Sequence, residues 1–83
     1  MTKPELYTDI TLTRDIPEHG LIRGDIATLI DYVAHPKGGE DGCILEVFNV
    51  LGESIAVITV PVSAIEPLRA DQVPSARTLA RSA

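Results

Sequence analysis

Apolar residues in this chain recur at every second position over short runs, and nowhere before residue 70 does a 3.6-residue spacing persist. The pattern predicts strands. Leu6 to Thr13 carries Ile10 and Leu12 at period two beside β-branched threonines and reads as strand one. Asp25 to Val33 is strand two. Its alternate positions, Ile26, Thr28, Ile30, Tyr32 and Ala27, Leu29, Asp31, Val33, leave neither face cleanly polar, as in a long strand covered on parts of both sides. Cys43 to Val50 is strand three, Leu51 to Glu53 a tight connection and Ser54 to Val60 strand four, so that the two form a hairpin. Pro61 cannot donate to a ladder and ends strand four; Val62 to Ala64 then fits one 3-10 turn before a last strand at Ile65 to Leu68.

The connections are as informative as the strands. Arg14 to Gly24 holds Pro17, Gly20 and Gly24 among polar residues, and the glycines are expected at positive φ. This structured loop feeds directly into strand two. Ala34 to Gly42 has three glycines, a proline and three charges, and is a loop. After Leu68 the composition turns to small residues with Pro74 and a local basic excess from Arg77 and Arg81; Ser75 could cap a short helix through Leu79, marginal at that length. Together these predict an all-β fold, a small five-stranded SH3-like barrel over residues 5–69 with a short 3-10 turn before the last strand, and a flexible or partly helical C-terminal tail over 70–83.

Composition narrows the work such a fold can do. Eighty-three residues make one domain, which buries only roughly 60–65% of the surface its unfolded chain exposes, so a deep active-site cleft is hard to build. No apolar run approaches the ~20 residues of a membrane helix. The opening MTKPELYTDI has no apolar leader core or small-residue cleavage site, and a cytoplasmic location is expected. Cys43 is the single cysteine and reads as a small buried hydrophobe. With 12 acidic residues against 7 basic, the net charge is −5, and Lys3, Arg14, Arg23, Lys37 and Arg69 stand singly among carboxylates. That disfavours nucleic acid and anionic membranes, and favours basic proteins as partners.

No catalytic, cofactor or metal site is assigned. His19 stands beside Glu18 in the structured loop, where a histidine next to a glycine reads most simply as solvent-exposed or bonded to a local carbonyl. Cys43 with His35 would be a nucleophile pair without an orienting group, and His19 with His35 lacks a spacing that would gather metal ligands. Proline-rich ligands need several aromatic walls, whereas Tyr7, Tyr32 and Phe48 are the only aromatics. Recognition through the loop 14–24, an exposed barrel edge or an aliphatic patch remains. SIAVITV has β-branched residues on both parities, so any side of it left uncovered is an apolar patch.

The runs PEHGLIRGDIATLID, LEVFN–LGES and PVSAIEPL resemble a family of small bacterial proteins of unknown function with a D-x-P-x-x-G-L-x-x-G-x-x-G-T-I-V pattern. The likeness covers roughly residues 6–69. Pro17, Gly20, Leu21, Gly24 and Thr28 are its clearest positions, and Ala27 departs from a usual glycine. The resemblance implies an SH3-like fold without a known activity, and occurrence beside small toxin-like or nuclease-like proteins suggests an accessory or neutralising role. GLIRGDIATLID is also similar to a glycine-bearing loop-and-strand motif of ribosomal and transcription proteins, which implies RNA contact. The expected function is therefore a non-catalytic protein-binding module, with Glu18, His19 and Arg23 as candidate partner-binding residues. The partner is another protein, a basic one being favoured by charge, or a second copy of the chain. An RNA- or ribosome-associated domain and a homo-oligomeric structural protein are the alternatives.

Overall fold

A computed structural model describes residues 3–79, and within them the fold is all-β. Five strands, β1 (Asp9–Leu12), β2 (Ile26–Val33), β3 (Gly42–Phe48), β4 (Ser54–Pro61) and β5 (Ile65–Pro67), form one antiparallel sheet in the order β4-β3-β2-β1-β5. Single 3-10 turns occupy Pro17–His19 and Val62–Ala64, the second leading directly into β5. Among the described residues no helix is long and apolar enough to cross a membrane.

Local chemistry sets the strand limits. β1 begins at Asp9 rather than Leu6 because Tyr7 adopts a left-handed φ of 63° and Thr8 Oγ1 donates to the Glu5 carbonyl at 2.7 Å, which turns the chain out of regular strand geometry although Tyr7 and Thr8 still exchange backbone hydrogen bonds with Leu29. β3 stops at Phe48, short of Val50, because Asn49 organises the turn: its Oδ1 accepts from the Leu51 and Glu53 amides, each at 3.0 Å. Gly52, at φ 83°, closes that turn with its N–H on the Asn49 carbonyl. β4 runs one residue further than expected and includes Pro61, opposite Gly42; a proline is tolerated there because β4 lies at the end of the sheet. β5 ends at Pro67 instead of Leu68.

The mixed faces of β2 have a definite cause. Leu29 pairs with Leu45, but Asp31 pairs with Ile44 and Tyr32 with Cys43, so Ile30 is the extra residue of a bulge. Inward positions are odd-numbered before it, at Ala27 and Leu29, and even-numbered after it, where Tyr32 packs against the core. The core joins Ile10 and Leu12 of β1, Leu29 of β2, Cys43 and Leu45 of β3, and Ile58 and Val60 of β4, with Ala64 and Ile65 closing it beside β1. Ala27, opposite Ile10, fills the core with its methyl.

β4 alternates strictly: Ala56, Ile58 and Val60 face inward, whereas Ile55, Val57 and Thr59 are exposed. One side of SIAVITV is therefore uncovered, with Val57 61% accessible. Beyond β5, residues 72–79 run without regular structure, and no helix forms from Ser75 to Leu79. So short a helix is marginal in water, and here Arg77 and Leu79 are engaged by the rest of the domain instead. Arg81 lies outside the described residues.

Candidate functional site

The loop Arg14–Gly24 is ordered by its own side chains. Ile16 and Leu21 are buried in the core and bridge to each other, Ile16 N–H to the Leu21 carbonyl at 2.9 Å and the reverse at 3.2 Å. Two apolar anchors thus pinch the loop at its neck. Between them the turn Pro17–His19 begins with a proline suited to the first turn and ends at Gly20, whose φ of 69° lets its N–H reach the Pro17 carbonyl. Carboxylates finish the closure: Asp15 Oδ1 accepts from the Arg23 amide at 2.9 Å and Asp25 Oδ2 from the Ile22 amide at 2.8 Å. Gly24, at φ 93°, donates to the Leu12 carbonyl and joins the loop to β1.

Glu18 and His19 are both exposed on the 3-10 turn, and Arg23 is exposed three residues beyond Gly20. Of these three, Arg23 alone lines a groove of about 660 Å³. Its walls are Ile22, Ile26, Phe48, Val50 and Ile55 on the domain side and Val73 to Arg77 with Leu79 on the other. Ile22, Ile26, Phe48 and Ile55 are each roughly two-fifths accessible or more, an apolar lining within an acidic chain.

Arg77 fastens the far wall of the groove. Its Nε donates to Asp25 Oδ1 at 3.0 Å, its Nη2 donates to Asp25 Oδ2, and the same Nη2 reaches the Gly20 carbonyl at 3.2 Å. The hydrogen bond to Asp25, aided by its charge, raises the Arg77 pKa above its ordinary value. Leu79 packs against the core two positions on. Neither contact is visible in a local reading of the sequence, where Arg77 contributes only to a basic excess in the tail.

A second concavity, of about 510 Å³, lies at the other end of β2 and is lined by Val33, His35, Glu40, Thr59 and Pro61 among others. Glu40 accepts from the Ser63 amide at 2.7 Å, and Arg14 Nη2 donates to Ser63 Oγ at 2.6 Å. Hydrogen bonds from the Ser63 side chain and then its backbone hold the Glu40 carboxyl below the usual range. His35 Nδ1 accepts from the Lys37 amide at 3.1 Å, and its ring packs where Gly39 leaves room. Cys43 is fully buried with its thiol toward the Val60 carbonyl, and burial, followed by the Glu40 charge, pushes the thiol up to about 11. Such a thiol is a poor nucleophile. His19, His35 and the carboxylates are not gathered: among the described residues no group of three His, Cys, Asp or Glu side chains could hold a metal ion.

Tyr32 secures the N-terminal segment. Its hydroxyl donates to the Pro4 carbonyl at 2.6 Å, the Lys3 ammonium lies 4.6 Å from the ring centroid, and Lys3 pairs with Asp41 at 3.6 Å. Burial, with a smaller contribution from Cys43, raises the phenol pKa.

Residues 6–67 match a family model described as "Domain of unknown function (DUF4926)". No curated protein and no solved structure matches the chain.

Proposed function

The chain belongs to the DUF4926 family of domains of unknown function, and on that footing we propose that it is a non-catalytic, SH3-like protein-binding module. The strand order, with β5 returning to β1 after a single 3-10 turn, supports the SH3-like reading. The observation that carries the binding role is the apolar groove bounded by Ile22, Ile26, Phe48 and Ile55. Exposed apolar surface of this kind is costly unless a partner covers it. With a net charge of −5 the favoured partner is a basic protein offering an extended segment. On this reading the domain acts in the bacterial cytoplasm as an accessory or neutralising partner of another protein.

Selection of random peptides displayed against the immobilised protein tests the reading. The expected result is enrichment of peptides combining basic and aliphatic residues, with binding lost in Phe48→Glu and Ile55→Asp. No enrichment, or binding indifferent to both substitutions, would overturn it.

β4 supports a second reading, a homo-oligomer. It lies at the end of the sheet, eight residues long and without a charge, with Ile55 and Val57 exposed. Antiparallel pairing with a second copy about Val57 would set Glu53 against Pro61, so no carboxylate would meet its like. Light scattering distinguishes the outcomes: a dimer that Val57→Lys converts to monomer supports it, and a monomer in both rejects it.

A further inference from the structure

We propose that Asp25 and the Gly20 carbonyl form an arginine-recognition corner and that residues 73–79 are its internal ligand. A partner protein then replaces this far wall of the groove with its own extended segment, carrying an arginine followed two positions later by an aliphatic residue, along the face of Ile22, Ile26, Phe48 and Ile55. This deepens the binding role proposed above and rests on it.

The acceptors are positioned without help from Arg77. The Asp25 carboxylate is oriented by the Ile22 amide at 2.8 Å, and the Asp25 backbone carbonyl accepts from Leu12 at 2.9 Å. Gly20 is fixed by its left-handed φ and its bond to Pro17. If Arg77 leaves, a carboxylate and a carbonyl remain aimed at one point. A guanidinium fits that point better than an ammonium, because its planar fork serves both carboxylate oxygens while one nitrogen also reaches Gly20.

The internal ligand shows what the groove asks of a sequence. From Val73 to Thr78 every residue is exposed, yet the Arg77 guanidinium is engaged by Asp25, and Leu79 is partly buried against the core. Two anchors therefore hold a segment with no regular structure of its own. The pattern they define is arginine, any residue, aliphatic. A tethered segment competes at an effective concentration in the millimolar range, so a partner displaces it only by contacting more of the groove.

The test uses the full chain with Arg77→Ala, titrated with the free peptide VPSARTL and followed by amide chemical shifts; circular dichroism establishes that each variant is folded. The peptide is expected to shift Gly20, Ile22 and Asp25. Binding should be at least about tenfold weaker to the unsubstituted chain, whose own arginine occupies the corner. It should weaken about as much when lysine replaces the peptide's arginine or when Asp25→Asn is added. No shift at millimolar peptide, equal binding of the arginine and lysine peptides, or equal binding to both chains would overturn the proposal. Failure here with displayed peptides still dependent on Phe48 would leave the broader binding role standing, and the converse would leave the corner without the groove.

Discussion

Arg77 grips both carboxylate oxygens of Asp25 across 52 positions of chain. The pair ties the last described segment to the loop that opens β2. Because both side chains remain partly accessible, the contact orders the segment more than it stabilises the domain. In Arg77→Ala the heteronuclear NOE of residues 73–79 should fall while the strands keep theirs, and Arg77→Lys should be intermediate. A segment equally ordered in Arg77→Ala would mean that Leu79 holds it alone.

Leu29 and Leu45 face each other, fully buried, immediately before the β2 bulge. Leu45→Ala should cost about 2–5 kcal/mol in urea denaturation, through lost burial and the cavity left behind. A chain of 83 residues has on the order of 4–12 kcal/mol in total, so the loss should be a large share of its stability and should lower the urea midpoint clearly. A loss below about 1 kcal/mol would contradict this packing.

The Cys43 thiol should react with Ellman's reagent at pH 8 only as fast as the domain opens. Its raised pKa also fixes a sign. Between the ordinary value of 9.0 and about 11 the unfolded chain loses the thiol proton while the folded chain keeps it, so stability should decline as pH rises through that window. Cys43→Ala should flatten this decline in pH-dependent thermal melts, and an unchanged slope would refute the assignment.

Glu40 behaves in the opposite sense at acid pH. Its carboxyl is held low by Ser63, so its contribution is complete above the ordinary carboxylate range and disappears as pH falls through the folded value. Glu40→Gln should melt at lower temperature than the parent at pH 7, and the two should converge at the acid end. Parallel curves would show that the Ser63 contact carries no pH dependence.

The five strands were legible because period-two patterning is local, and so was the 3-10 turn at Val62–Ala64 after Pro61. The β2 bulge showed itself only as two mixed parities; that Ile30 is the inserted residue follows from the register with Ile44 and Leu45, which no single strand reveals. Strand ends shifted where the backbone turns locally, at Tyr7 through its left-handed φ and at Asn49 through its side chain. The loop 14–24 was recognisable from its glycines and proline, and Arg23 within it does line the groove. Glu18 and His19 sit apart from that groove. Ile55 was read only as part of a SIAVITV face that could be left uncovered, and the roles of Arg77 and Phe48 went unread because they depend on contacts between distant segments, which a local pattern does not encode.

The sheet order also dictates a sequence of events in time. Pairing Phe48 with Ser54 closes a loop of about 6 residues, whereas pairing Leu12 with Ile65 closes one of about 53, which is entropically dearer by about 2 kcal/mol. The β3–β4 hairpin should therefore be formed in the folding transition state and the β1–β5 ladder should lock last. Ile65→Val should quicken unfolding by roughly 2- to 12-fold with little change in the folding rate, while Ile58→Val should slow folding. Chevron plots of the two variants decide it, and a slowed folding arm for Ile65→Val would reverse the order. If β5 is the last strand to lock, it is also the first to release, which makes the early steps of unfolding a peeling of β5 from β1 and leaves the hairpin as the kinetic seed of the fold.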